Sequence, residues 1–491
     1  MLESAWKQVE QGALRLVLVA GEPGIGKTRL ATEAALRAHQ QGGLVLLGRC
    51  DEDLAVPYQP FVDALRHLVA VCPEDVLAEG LAGRGGELVR LLPDVAKRVP
   101  GLTHPQSADP DTERYLLFSA VAGLLQSVAQ WRPVLLVLDD LHWATKPTLL
   151  LLKHLIRSSD PMALLVVGTY RDSDIGPRHP LTDVLAELHR EPGVERLALR
   201  GLSGDEAVAM MANLAGHDLD GPELALAHAV HAEADGSPLF MWELLRHFRD
   251  RGELRQEGDR WTFRGELAGI PDSVREVIGH RLSRLPEPVD RLLALGAVIG
   301  PEFDVAVLSP LAGVERSVVL DGLAAARQAA VVKEVEGSPG RFTFAHAVIR
   351  HTLYDELGPA RQVELHRRVA ETLEALDAEA DVSELAHHWL AAIPQTRVSA
   401  DDVARAARYA EQAGRRAMAS LAYEEAAHHF EGALRAARQS GNEGQVGELL
   451  IQLGEAQRCA GDPAHRETLL EAGRLALRRS DPDQAARAAL A

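Results

Sequence analysis

The stretch Gly21-Glu22-Pro23-Gly24-Ile25-Gly26-Lys27-Thr28 constrains this chain more than any other. It has the form G-x-x-x-x-G-K-[ST], and its flanks are those the motif requires. Leu16 to Ala20 is a short apolar run that reads as a buried strand, and Arg29 to His39 carries Leu30, Ala34, Leu36 and Ala38 at helical spacing. Strand, glycine loop and helix in that order aim backbone N–H groups and a helix N-terminus at anionic oxygens. Side chains at the glycines would keep the backbone away from a phosphate. The loop from Gly21 to Thr28 is therefore expected to bind a nucleotide, with Gly21, Glu22, Pro23, Gly24, Ile25 and Gly26 forming the cup. Lys27 supplies a point charge for the outer phosphates, and the Thr28 hydroxyl is a ligand for Mg2+.

Short apolar runs continue through the first 200 residues and alternate with helical patterns. The runs are Leu44 to Gly48, Val134 to Asp140, Leu164 to Arg171 and Glu195 to Arg200; the helical stretches include Phe61 to Val71 and Glu113 to Gln130, with Leu102 to Asp111 as a loop. Such alternation predicts a parallel sheet covered on both faces, with ligands at the carboxyl ends of the strands. The run ending in Asp139-Asp140 fits a Walker B strand. Asp139 is expected to hold Mg2+, and Asp140 to orient or deprotonate the attacking water. Arg171, at the end of the following strand, is placed to sense a γ-phosphate.

The character changes after residue 200. Ser203 with Glu206 is a helix-start signature, and Gly236-Ser237-Pro238 breaks and restarts a helix. Ile278 to Leu285 and Val289 to Val298 read as helices, and Ala330 to Val335 with Arg341 to Phe344 as a hairpin about Gly337-Ser-Pro-Gly340. Helices followed by a hairpin predict a winged-helix-like domain, here without the basic charge of a DNA reader. From Gln362 the pattern is almost wholly helical. Gly414, Ala426, Phe430 and Ala433 fall at tetratricopeptide offsets, and Gly454 with Leu470 is expected to repeat the Gly414–Phe430 pair. The helical pattern runs to Ala491, from which a continuation of the array is expected. The expected organisation is a P-loop ATPase core over 1–200, a helical lid over 201–270, a winged-helix-like domain over 271–360 and truncated tetratricopeptide-like helices over 361–491.

Charge and cysteine usage remove several classes of function. A formal net charge of −19 excludes a non-specific nucleic-acid binder. Cys50, Cys72 and Cys459 are few, distant and without a C-x-x-C, which fits a reduced cytoplasm rather than a disulfide framework or zinc site. Neither an apolar run of spanning length nor a signal-peptide pattern is found, so the expected location is cytoplasmic and no membrane partner is expected. The pairs His346/His351, His387/His388 and His428/His429 lack H-E-x-x-H spacing and read as packed or solvated; G-x-S-x-G is absent.

With these residues in view, the chain resembles the STAND class of AAA-type P-loop ATPases. It is similar in particular to bacterial regulators that join such an ATPase to tetratricopeptide repeats and a LuxR-type DNA-binding domain, or to an adenylate cyclase. The carriers are Gly21 to Arg29, Leu138-Asp-Asp-Leu-His-Trp-Ala144, Gly168-Thr-Tyr-Arg171, Gly236-Ser-Pro-Leu-Phe240 and Phe344-Ala-His346-Ala-Val-Ile-Arg350. The resemblance implies ATP or ADP with Mg2+ as cofactors, Arg29 within the binding segment, Pro238 near the adenine and His346 near the ADP β-phosphate. It also implies an inducer, small molecule or protein, on the helical repeats, self-association, and DNA contact only through an output domain not visible in this chain. The sequence departs from the family where Met1-Leu-Glu-Ser stands without a Val-Gly-Arg-Glu-like segment and where Thr145 replaces an acid. The function expected is an ATP-binding, slowly hydrolysing signalling switch within a transcriptional regulator. The alternatives are a repeat scaffold with a residual nucleotide domain, a cyclase-linked regulatory ATPase, or a ring-forming motor, the last disfavoured by the acidic balance.

Overall fold

The computed structural model describes residues 1–491 except 54–55, 100, 103–104, 106, 159–160, 178, 258–259, 264–277, 280–281, 283–284, 336, 377–380 and 394–398. Internal contacts divide the chain into two units. Residues 1–20, 28–197 and 378–491 form the first, and residues 21–27 and 198–377 the second.

The first unit is built on a five-stranded parallel sheet ordered β2-β3-β4-β1-β5. Its strands are β1 (Leu14–Ala20), β2 (Leu44–Arg49), β3 (Val134–Asp139), β4 (Leu164–Tyr170) and β5 (Val194–Ala198). Every residue of β4 is buried, as is all of β3 before Asp139. Helices cover both faces, so these strands read as unbroken apolar runs instead of alternating ones. The first polar residue of such a run therefore marks the sheet's carboxyl edge, as Asp139 does. The flanking helices include Lys27–Gln40, Gln59–Val71, Pro110–Trp131 and Lys146–Ile156. The loop expected through Asp111 ends two residues sooner. Asp109 caps the helix by accepting the Thr112 N–H at 3.1 Å, and Pro110 fits a first turn that needs no N–H donor.

The same unit carries the stacked helices Val382–Ala391, Ala400–Ala419, Tyr423–Ser440, Glu443–Cys459, His465–Arg478 and Pro482–Leu490. A Cβ at Gly414 would lie 2.6 Å from the Phe430 ring, and Ala426 and Ala433 are fully buried. Small residues here let two helices approach closely. The expected second pair is corrected by one residue: Gly454 packs against Leu469, whose Cδ2 lies 2.5 Å from an added Cβ, whereas Leu470 is 58% exposed. The connection after Cys459 is longer than that after Ala419, which rotates the next helix relative to the simple offset. The first helices of this array close on the sheet's flanking helices. Tyr58, fully buried, donates its hydroxyl to the Leu421 carbonyl at 3.4 Å. Glu424 pairs with Arg114 at 3.0 Å and with Lys146 at 3.4 Å, and the Arg114 guanidinium lies 4.6 Å from the centre of the Tyr423 ring.

The second unit begins, beyond the glycine loop, with helices Gly204–Ala215, Gly221–Glu233 and Pro238–Asp250, followed by the hairpin β6 (Leu254–Glu257) and β7 (Arg260–Phe263). The Ser203 signature is realised as a capping box: Ser203 Oγ accepts the Glu206 N–H at 3.3 Å, and the Glu206 carboxylate accepts the Ser203 N–H at 2.8 Å. Helices and short strands then alternate, from helix Glu287–Ile299 through β8 (Glu302–Asp304), Val305–Ala312, Arg316–Gln328, β9 (Val332–Glu334) and β10 (Arg341–Phe344). The expected hairpin is present as β9 and β10, and β8 joins it in the order β8-β10-β9. A strand as short as β8 has no periodicity for a sequence reading to detect. Of the helix expected over Ile278 to Leu285, half lies outside the described residues. Among the described residues no helix is long and apolar enough to cross a membrane.

Candidate functional site

At the carboxyl edge of the sheet, β3 delivers Asp139 and Asp140, and β4 delivers Thr169 one strand away. The Thr28 hydroxyl, on the first turn of helix Lys27–Gln40, donates to Asp139 Oδ2 at 3.0 Å. The Thr169 hydroxyl donates to the other carboxylate oxygen and itself accepts the Asp140 N–H at 2.9 Å. Residues 111 positions apart in sequence thus meet because parallel strands end on one edge. Asp140 turns away from this pair. Its backbone takes the left-handed region at φ 59°, ψ 45°, which Asp tolerates better than most residues. Its carboxylate meets Arg49, at the end of β2, with Nη2 to Oδ2 at 3.3 Å.

Neither Arg49 nor Thr169 was singled out by the sequence reading. Each is a polar residue at the end of an apolar run, as Asp139 is, and that shared position was the available signal. Arg171 lies just beyond β4 and pairs with Asp174 at 3.3 Å. It is not among the residues bonded to Thr28, Asp139 or Asp140.

Burial, and then the neighbouring Asp140 charge, raise the Asp139 carboxyl above its ordinary range; hydrogen bonds from Thr169 and Thr28 oppose this. Among the described residues Asp139 accepts from hydroxyls, while the nearest guanidinium is bonded to Asp140. Two hard oxygen ligands, the Thr28 hydroxyl and the Asp139 carboxylate, therefore stand 3.0 Å apart, and among the described residues no cation pairs with Asp139. Mg2+ takes one or two protein oxygens and fills the rest of its shell with water and phosphate oxygens, so the residues present fit that ion. Cys50, beside this edge, is pushed up by burial and then by Asp140 and Asp139, which makes its thiol a poor nucleophile.

The glycine loop itself packs within the second unit. Gly24 and Gly26 have φ values of 78° and 104°, a region that disfavours any side chain. At Gly24 the crowding is also steric, because an added Cβ would lie 2.9 Å from the Leu239 side chain. At Gly26 an added Cβ would meet nothing within 4 Å, so the space beside it is open. Lys27 is 6% exposed, and its Nζ donates to the Gly21 and Glu22 carbonyls at 2.8 and 3.0 Å. Glu22, Pro23, Thr28 and Arg29 are exposed, and Ile25 is half-buried.

Pro238 occupies the first turn of helix Pro238–Asp250, which Ser237 caps, and the next residue, Leu239, donates its N–H to the Gly24 carbonyl at 3.2 Å. One turn further along, buried Glu243 lies 3.8 Å from Nε2 of His346. His346 stands at the start of helix Ala347–Asp355, after the β9–β10 hairpin. The second unit thus links the loop to the Pro238 helix by a backbone hydrogen bond, and that helix to His346 through Glu243.

Comparison with known proteins places this geometry in context. Residues 1–167 match the family model of the AAA ATPase domain. An uncharacterised protein of Rhizobium meliloti (strain 1021) is 25% identical over 390 residues, covering 74% of this chain and 35% of that protein. The chain therefore spans about a third of the length of that curated relative. The fold is similar to the crystal structure of a Signal Transduction ATPase with Numerous Domains (STAND) with a tetratricopeptide repeat sensor from Pyrococcus horikoshii. That match has a TM-score of 0.50 at 14% identity and covers 98% of this chain and 65% of the other. A Walker-type ATPase of Pyrococcus abyssi aligns with a TM-score of 0.34 and 14% identity over 72% of this chain and 95% of its own. Residues 1–167 thus match an AAA ATPase domain, and the fold of the chain is similar to that of the Pyrococcus horikoshii protein.

Proposed function

We propose that this chain is an ATP-binding, slowly hydrolysing signal-transduction switch. The observation that carries the reading is the hydrogen bond between Thr28 and Asp139, which joins the residue after the motif lysine to the acid that ends β3. In this reading the amides of residues 21–27 hold the phosphates, and Lys27 moves from the Gly21 and Glu22 carbonyls to the outer phosphate oxygens. Thr28 and Asp139 hold Mg2+, which when bound neutralises phosphate charge as the terminal phosphoryl group is transferred. Asp140 positions the attacking water, and Arg171 leaves Asp174 for the γ-phosphate.

Slow turnover follows from the resting contacts. Asp140 is held by Arg49 and must be released before it can accept a proton. A loop ordered by nucleotide is felt directly by the Pro238 helix through the Gly24–Leu239 hydrogen bond, and His346 reports on the same helix through Glu243. Residues 201–270 would act as a lid and 271–360 as its winged-helix-like support, with the helices beyond 361 receiving an inducer. An output through a LuxR-type DNA-binding domain or a cyclase belongs to this proposal as an extension beyond the chain.

The test is calorimetric titration of ATP and ADP into the wild type and Lys27→Ala. Affinity is expected to fall at least about a hundredfold in the variant, the loss of a charge-assisted phosphate contact; unchanged affinity refutes the assignment. A second reading, a repeat scaffold with a residual nucleotide domain, draws on the Arg49–Asp140 and Arg171–Asp174 pairs, which engage the side chains this mechanism needs free. Phosphate release from ATP by the purified wild type, abolished in Asp140→Asn, favours the switch.

A further inference from the structure

The helix Pro238–Asp250 has an outer face that the nucleotide reading does not use. Trp242, Arg246 and Arg249 on that face, with Leu214 of helix Gly204–Ala215 and Leu254 and Arg255 of β6, line a hollow of about 210 Å³. Trp242 and Leu214 are each 38% exposed. Among the described residues no carboxylate lines the hollow, although the chain as a whole carries a formal net charge of −19. Among the described residues none of the three arginines is in an ion pair; the nearby Arg251 is, with Glu253 at 2.7 Å. Arg246 donates through Nη2 to the Gln328 carbonyl at 3.2 Å, but its Nε is enclosed with no acceptor. Arg255 reaches only the Gly252 carbonyl, at 2.9 Å. Burial, opposed by Asp250, and then the adjacent Arg249 hold the Arg246 guanidinium below its ordinary range.

A helix C-terminus favours cations, which accounts for Arg249 in the last turn. It does not account for a third arginine arriving from a separate strand, nor for a half-open indole beside them. Guanidinium groups gathered in one hollow without an ion pair among the described residues, one with an enclosed unpaired N–H, are completed by a carboxylate, which accepts paired N–H bonds. An indole face is completed by another ring. The volume holds one ring system with one charged group.

We propose that this hollow binds a small aromatic carboxylate, its ring against Trp242 and its carboxylate held by Arg246, Arg249 and Arg255. The site is separate from the glycine loop, so it places a small-molecule signal on the helix that the loop contacts through Leu239.

The experiment is titration calorimetry on the full chain with three probes: 1-naphthoate, its neutral counterpart 1-naphthalenemethanol, and acetate. Saturable one-to-one binding of 1-naphthoate is expected, weaker by at least about tenfold for the alcohol and for acetate. Arg249→Gln and Trp242→Leu should each weaken it to a similar degree, whereas Lys27→Ala should leave it unchanged. Failure of nucleotide binding would thus leave this site intact, and the reverse. Absence of saturable 1-naphthoate binding overturns the proposal. So does equal binding of the alcohol, which would make the hollow merely apolar, or of acetate, which would make it merely basic. Should Trp242→Leu lose helical circular dichroism, Arg255→Gln, at an exposed position, serves in its place, and unchanged affinity in a folded variant is again contrary.

Discussion

Two regions of the first unit bury acids, and they neutralise them differently. On the repeat-facing side, Glu424 is held between Arg114 and Lys146 with Tyr423 under the guanidinium, and Tyr58 closes the contact from below. At the sheet's carboxyl edge Asp139 accepts hydrogen bonds from the Thr28 and Thr169 hydroxyls, and among the described residues no cationic side chain pairs with it. The first arrangement is complete as it stands, as expected of a contact that holds structure together. The second stabilises a carboxylate by weak neutral donors while burial and Asp140 work against it. On the proposed reading, the counter-charge of such an acid comes from outside the chain. The difference between a structural and a functional carboxylate thus lies in its partner, not in its burial.

The comparison can be broken most directly at Arg114. Arg114→Ala leaves Glu424 with the more exposed Lys146 and should cost about 3 kcal/mol in chemical denaturation, with nucleotide affinity in calorimetry unaltered. A loss of affinity with intact stability would reverse the roles of the two regions. The mirror experiment is Asp139→Asn. It should remove the Mg2+-dependent part of ATP affinity, at least about tenfold, while thermal stability holds or rises because a desolvated charge beside Asp140 is gone.

A smaller effect is expected at Glu425, half-buried beside Glu424 with one enclosed, unpaired oxygen. Burial, and then Glu424, push its carboxyl up to about 8, against the opposing pull of Arg114. A folded-state pKa raised above the unfolded value contributes stability that is present at low pH and declines as pH rises through the folded value. Stability should therefore fall from about pH 5 toward about 8, and Glu425→Gln should flatten that slope in denaturation measured across the range. The smallest change is Thr169→Val, which deletes one hydroxyl from Asp139 and the acceptor of the Asp140 N–H; about 1 kcal/mol of stability should be lost.

The glycine motif and the acids that end β3 were legible in the sequence because local chemistry defines them. A phosphate cup needs glycines at set spacings, and a doubly covered parallel strand needs an unbroken apolar run with a polar end. The same logic recovered the hairpin of β9 and β10 and the Gly414–Phe430 interlock. It failed for the Gly454 partner, where the length of a connecting turn, and not the repeat offset, set which face of the next helix came to rest on the glycine.

By itself, then, the sequence determined that a strand, a glycine loop and a helix would occur in succession, and that two acids would close an apolar strand, since each depends on residues near one another in the chain. Only the tertiary structure decided that Thr28 and Thr169 would both reach Asp139, that Arg49 would take Asp140, and that Arg114 would reach Glu424 across 310 residues. Strand order and helix stacking place those partners. Both arise from burying apolar faces against one another, a requirement that leaves no trace in the spacing of the polar residues it brings together.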